Sequence, residues 1–367
     1  MPPSLHPAAA LALVLLACGG ADSGVTAGQA AGDAPSIGLD PSAPALPGTA
    51  RAGVVRDGRD GEAALFGGIN AEGAAGDIKL HNAKVQFIIQ RAARSHGIVD
   101  VGGHVIDADL VRPAGQLGRD TLEDQFLAFG MSRVVHHDTV QIVSDGSEGG
   151  AAVVRATGRD VPWPFMLGLT ERTESLVPDL TLEVESLYTL EPDTWTLRID
   201  TTFTNAGDAA STFTVEDGLR AAGEDLTAGA PGVGLEGPQS GDLQAVVLAG
   251  LQGEATLSMW PGEGAYNSSP ITTLAAELGL ALAERSPTTL APGESVLVSR
   301  SLSIAPDPLA AEADRRRVQG GSLVAVSGTV TGPDGVGVAG ARVHLMQDGE
   351  ARGYAITADD GSFPGAL

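Results

Sequence analysis

The sequence predicts a mainly β protein built around a large antiparallel β-sandwich. Three observations lead there. Apolar and polar residues alternate with period two over many short stretches, as half-buried strands require. Glycine, at 50 of 367 residues, and 22 prolines supply turns in numbers that long helices would not tolerate. Only two stretches, Thr121 to about Arg133 and Thr272 to Glu284, space their apolar residues as a helix would. Many short strands beside few helices is the pattern of an antiparallel sandwich.

In chain order, Val85 to Gln90, Arg133 to Val143 and Ala151 to Thr157 are expected strands. The most secure pair is a hairpin. Leu180, Leu182, Val184, Tyr188 and Leu190 share a face of its first arm, and Trp195, Leu197, Ile199, Thr201 and Phe203 share a face of its second. Glu191-Pro192-Asp193-Thr194 joins them, with proline presetting φ in the turn. Asn205-Ala206-Gly207-Asp208 then turns into Ser211 to Glu216, and further strands are expected at Leu243 to Ala249, Ala255 to Met259 and Ser295 to Ile304. The two expected helices gather Leu122, Phe126 and Phe129 on one side, and Leu274, Leu278 and Leu282 on the other's.

Charge and composition bound the function. With 22 Lys and Arg against 46 Asp and Glu, the formal charge is −24, which repels phosphate backbones; nucleic-acid binding is excluded as an expectation. At 43% hydrophobic and 19% charged, the chain has enough apolar mass for a core. Cys18 is the sole cysteine, so neither an internal disulfide nor a cysteine-based zinc site can form.

Ala8 to Ala17 is an apolar run of about ten residues, half of what a spanning helix needs, and reads as a signal-peptide core. It ends in Leu15-Leu16-Ala17-Cys18-Gly19, which resembles the bacterial lipobox: an apolar residue three before the cysteine, a small one before it, then the thiol. That resemblance implies cleavage before Cys18 and lipid attachment at its sulfur. The departure is the segment before the core, which carries no Lys or Arg. Two or three acyl chains, at about 0.8 kcal/mol per buried CH₂, give durable anchoring. Gly19 is not the aspartate associated with inner-membrane retention, so the resemblance implies an outer-membrane lipoprotein, facing the periplasm or the outside.

The expected organisation is a signal peptide over 1–17, a disordered tether over 18–50, a large β-sandwich over 51–305, a charged linker over 306–321 and a small C-terminal unit over 322–367. A flexible tether of that length would reach about 30 Å. Trp195 to Asn205 (WTLRIDTTFTN) with its Gly-Asp turn looks like a strand and turn of large bacterial sandwiches, including the galactose-mutarotase-like supersandwich. Only the fold is implied, since no His and acid pair here matches a mutarotase. The C-terminal unit runs through Val326-Ser327-Gly328-Thr329-Val330, Pro333-Asp334-Gly335, Val338 to Val343 and Asp359-Asp360-Gly361-Ser362-Phe363. It resembles the opening of a carboxypeptidase regulatory-like module, which implies a partial small sandwich of the Ig or transthyretin-like, carbohydrate-binding-like kind, about four strands long and with open edges.

Two G-x-G-x-x-G matches, Gly232 to Gly237 and Gly335 to Gly340, lack the strand-then-helix setting of a dinucleotide loop. The one polar cluster with chemical potential spans 96–138. It holds Asp100, His104, Asp107 and Asp109, then Asp120, Glu123 and Asp124, then His136-His137-Asp138. Imidazole with carboxylates suits zinc or manganese, and Asp107 and Asp109 would point the same way on a strand. The opposing reading makes them turn carboxylates, a helix cap and solvated histidines. No cofactor is expected, with a divalent metal at Asp100, His104, Asp107 and Asp109 as the alternative. Three functions follow: a lipid-anchored envelope protein whose non-catalytic sandwiches bind glycan or an envelope partner or act as spacers; the N-terminal part of an envelope metallohydrolase of the polymerase-and-histidinol-phosphatase type, by analogy; or a metal-dependent enzyme using the 96–138 cluster.

Overall fold

Period-two patterning and abundant turn residues produce strands almost throughout the chain. The computed structural model describes residues 38–93, 98–170, 173–174, 177–221, 226–232, 241–250, 255–268 and 280–366. The signal segment, Cys18, His96, Leu274 and Leu278 lie outside the described residues.

Among the described residues, seventeen strands join in one hydrogen-bonded antiparallel sheet. One run goes from Ala50–Val54 through Ile78–Asn82, Val85–Ile89 and Val105–Leu110 to Leu122–Phe129, Val215–Ala221 and Leu280–Glu284. The other goes from Arg133–Ser144 through Ala152–Pro162, Leu182–Leu190 and Thr196–Asn205 to Ser295–Ala305, Thr256–Pro261 and Val246–Gly250. The runs meet where Leu122–Phe129 pairs with Arg133–Ser144 over two residue pairs. The sheet folds over there, because Leu80 and Phe87 of the first run share one buried cluster with Ile199 and Leu257 of the second. The mainly β, antiparallel expectation holds.

The expected hairpin is present in register, with Leu182 opposite Asn205 and Leu190 opposite Leu197. Its inward residues divide between that cluster, which holds Tyr188, Leu190, Leu197 and Ile199, and a second core with Leu182 and Val184, in which the rings of Phe129, Phe203 and Phe213 meet edge-on with centroids 5.5–5.8 Å apart. Such ring pairs contribute about 0.5–1.5 kcal/mol each beyond the area they bury.

Four expectations need correction. The helix expected from Thr121 is the strand Leu122–Phe129. This strand is buried on both faces: Leu127 and Phe129 turn to the second core, while Phe126 and Ala128 pack on Trp163, Val99 and Leu282. A strand covered on both sides loses its polar alternation, and helical spacing can then mimic it. The end of the other expected helix, Leu280–Glu284, is likewise a strand. Residues 38–49, read as tether, are tied down: Leu39 N–H donates to Ala52 C=O at 2.9 Å and Gly48 N–H to Asp193 Oδ1 at 3.0 Å. The 306–321 linker contains the helix Pro308–Val318.

That helix has the local chemistry to form. Asp307 caps it by accepting the Ala310 N–H at 2.8 Å, Pro308 opens the first turn, and Arg315, Arg316 and Arg317 sit at the negative end of the dipole. Glu312, buried, accepts from both Arg315 and Arg316. Thr196 donates to Asp314, which ties the helix to the sandwich.

Beyond it, Ala325–Thr329 pairs with Ser362–Ala366, and Arg342–Gln347 pairs with Glu350–Ile356. These strands dock rather than stand alone. Leu309 of the helix packs with Leu345 and Ala355, and Tyr354 packs on Val247 and Ala249 of the large sheet. A Cβ on Gly353 would lie 2.8 Å from Leu309 Cα, so the close approach requires glycine there.

Candidate functional site

The strand Val105–Leu110 puts Asp107 and Asp109 on one face, as their spacing demands, but both carboxylates are already committed. Asp107 accepts the N–H groups of Glu72 and Gly73 at 2.8 Å. Asp109 accepts the N–H groups of Leu110 and Arg119 and both Nε and Nη2 of Arg112. His104 turns away from them to Asp124, with Nε2 2.8 Å from Oδ1. Asp100 is half-buried in the preceding loop. Among the described residues, no three His, Cys, Asp or Glu side chains gather as a metal site. The four proposed ligands are therefore not brought together.

The rest of the cluster disperses too. Glu123 pairs with Arg220, and His136 stands 3.3 Å from Asp138. His137 is buried with Nε2 3.3 Å from Ser186 Oγ, and burial pushes its pKa down to about 3. Asp120, expected as a helix cap, instead holds two strands: its Oδ1 accepts the N–H groups of Ala108 and Leu122, each at 3.0 Å.

Buried carboxylates this close together resist ionisation. Burial, opposed by the two N–H donors, pushes Asp107 up to about 7. Burial and then the charge of Asp107 raise Asp120 well above the usual carboxylate range. A raised native pKa stabilises fully below the unfolded value near 4, and that contribution is lost as pH rises through the native value. Asp120→Asn keeps the accepting oxygen and places an amide where the partnerless buried Oδ2 stands. Relative to wild type, the variant should gain about 1–3 kcal/mol at pH 8 and little at pH 4. Urea midpoints at the two pH values check this, and His137 and His81, whose lowered pKa values act in the opposite sense, are common to both proteins and cancel. An equal difference at both pH values would show that Asp120 does not titrate.

A different feature presents polar groups to solvent. The outward faces of Arg133–Ser144, Ala152–Pro162, Leu182–Leu190 and Thr196–Asn205 form an open groove of about 580 Å³. Register sets its rows: Thr157 lies beside Glu185 and Glu185 beside Thr202, while Arg159 lies beside Glu183 and Glu183 beside Thr204. Asp138 stands 3.7 Å from Arg159 at one rim. A second hollow of about 490 Å³ continues past Arg159 and Glu183 toward Asp160 and Asp179. Sequence reasoning missed this face, although its signal was the polar half of the same alternation whose apolar half marked the strands.

No protein-family model matches the chain, and no curated protein matches it. Solved structures superpose on part of it. A TPR-domain containing protein from Parabacteroides distasonis superposes with a TM-score of 0.40 and 13% identity, over 64% of this chain and 47% of that one. A putative aldose 1-epimerase from Klebsiella pneumoniae gives 0.38 and 8%, over 68% and 86%. A GH36 alpha-galactosidase from Geobacillus stearothermophilus gives 0.36 and 10%, over 62% and 40%. The chain thus spans under half the length of the first and third.

Proposed function

We propose that this chain is a lipid-anchored cell-envelope protein whose sandwich is a non-catalytic binding module, with the groove over Thr157, Glu185 and Thr202 as its ligand face. The observation that carries the reading is the groove itself: half-buried hydroxyls and exposed carboxylates held in fixed register on four paired strands. Carboxylates accept from a polyol's hydroxyls, threonines both donate and accept, and Arg159 donates, so the complementary ligand is hydroxyl-rich, as a glycan is. The spent carboxylates of the 96–138 cluster favour this reading over the metal-enzyme one.

Two measurements test it. Envelope oligosaccharides titrated into the purified chain should shift backbone resonances of Thr157, Glu185 and Thr202, and Glu185→Gln should weaken binding about 10- to 100-fold, the worth of one hydrogen bond to a charged acceptor. Shifts confined to other surfaces, or turnover of the sugar, would refute the assignment. For the anchor, a Cys18→Ala precursor should lose radiolabelled fatty acid and leave the membrane fraction; retention there would defeat lipid attachment.

A further inference from the structure

Between the two apolar cores lies a layer of polar side chains that the groove does not use. Asp217, fully buried on Val215–Ala221, accepts from Arg285 Nε at 3.0 Å and Nη2 at 2.7 Å. Its other oxygen stands 3.2 Å from Arg300 Nε. Arg300 is 2% exposed on the inward face of Ser295–Ala305, and its Nη1 donates to Thr201 Oγ1 at 3.0 Å. Two guanidiniums therefore share one carboxylate.

The surrounding groups do not redress the balance. Burial holds Tyr188 protonated, with its pKa up to about 12 and its O–H donated to Gly103 C=O. Burial and the charge of Asp217 do the same for Tyr266. His137, beyond Thr201 and Ser186, is neutral, and past it Asp124 already faces His104. The trio of Asp217, Arg285 and Arg300 thus carries one positive charge in excess, and an unbalanced buried charge is costly.

Its unspent groups are mainly donors. Arg300 Nε and the Tyr266 hydroxyl are buried without an aligned partner, although the Asp217 carboxylate, its Oδ1 equally unaligned, lies beside both. Arg285 spends Nε and Nη2 on Asp217 and the Ser299 carbonyl, which leaves Nη1. Its guanidinium lies 5.4 Å from the Tyr266 ring centre, and its side chain is 15% exposed, the accessible end of the layer. We propose that this layer is a binding site for a small carboxylate anion, seated on the accessible edge of Arg285 beside Tyr266. One negative charge balances the excess, and a planar two-oxygen group suits a guanidinium edge. Phosphate, larger and up to doubly charged, would overshoot both.

The test uses acetate on the purified chain at constant ionic strength, with chloride and inorganic phosphate as the comparison anions. Acetate should raise the unfolding midpoint saturably, and the other two should not. Arg285→Gln should abolish that dependence, while Arg285→Lys, keeping the charge without the planar edge, should retain a weakened one. A wild-type midpoint without saturable acetate dependence, or the same dependence in Arg285→Gln, would overturn the site. Should Arg285→Gln not fold, titration calorimetry of acetate into wild type decides alone: binding heat near one equivalent supports the site, and its absence refutes it.

Discussion

Replacing Asp217 by alanine is expected to cost about 3–5 kcal/mol of folding stability, the range for removing one partner of a buried ion pair. The carboxylate is wholly inaccessible and is the group through which Arg285 and Arg300 tolerate each other. Without it, Arg300 retains Thr201 as its hydrogen-bonded partner and faces a second guanidinium across a cavity. The loss would come chiefly from a stranded charge, and that can be separated from the loss of packing. Combining Arg285→Met and Arg300→Met with Asp217→Leu replaces all three members with apolar groups between existing cores, and such exchanges are often neutral or stabilising. The triple variant should recover most of the stability that Asp217→Ala loses, read from urea unfolding with an unchanged slope. A cost below about 1 kcal/mol for Asp217→Ala would mean that the arginines are not held as described.

The same layer shows where sequence reading reaches and where it stops. The hairpin Leu182–Leu190 and Thr196–Asn205 was legible because one of its faces meets the core and the other meets water, so the alternation survives. Leu122–Phe129 was not, because neighbours cover both its faces, and its polar residues Glu123, Asp124 and Gln125 are consecutive and mark no period of two. The Pro308–Val318 helix was misread for a related reason. Buried Glu312, Asp314 and Arg315 look like a solvated connector until the ion pairs that bury them are known. The proposed metal ligands failed similarly: spacing placed Asp107 and Asp109 on one face correctly, yet nothing local shows that Gly73 N–H and Arg112 reach them first. Asp217 and Arg300 are 83 positions apart in sequence, and only tertiary pairing brings them together.

Truncating Leu309 to alanine should release the C-terminal strands while leaving the large sheet intact. The sequence gives these residues about four strands, too few to bury their own faces, and the structure supplies the missing cover from outside. Leu309 is that cover: it is 1% exposed, touches Leu345 and Ala355, and lies against the glycines at 353 and 365. A leucine-to-alanine change at such a site costs about 2–4 kcal/mol, which multiplies local opening roughly 30- to 1,000-fold. Hydrogen exchange across Arg342–Ile356 should accelerate by that factor, while Thr196–Asn205, held on both sides by Leu182–Leu190 and Ser295–Ala305, should not change. Tyr354→Ala, which removes the contact with Val247 and Ala249 instead, should act in the same direction from the other end of the interface. Unchanged slow exchange in Leu309→Ala would show that the C-terminal strands are stable without docking; equally rapid exchange in wild type and variant would show that they do not dock in solution. Accelerated exchange throughout the large sheet would make the helix a part of the sandwich core rather than a bracket between two separable units.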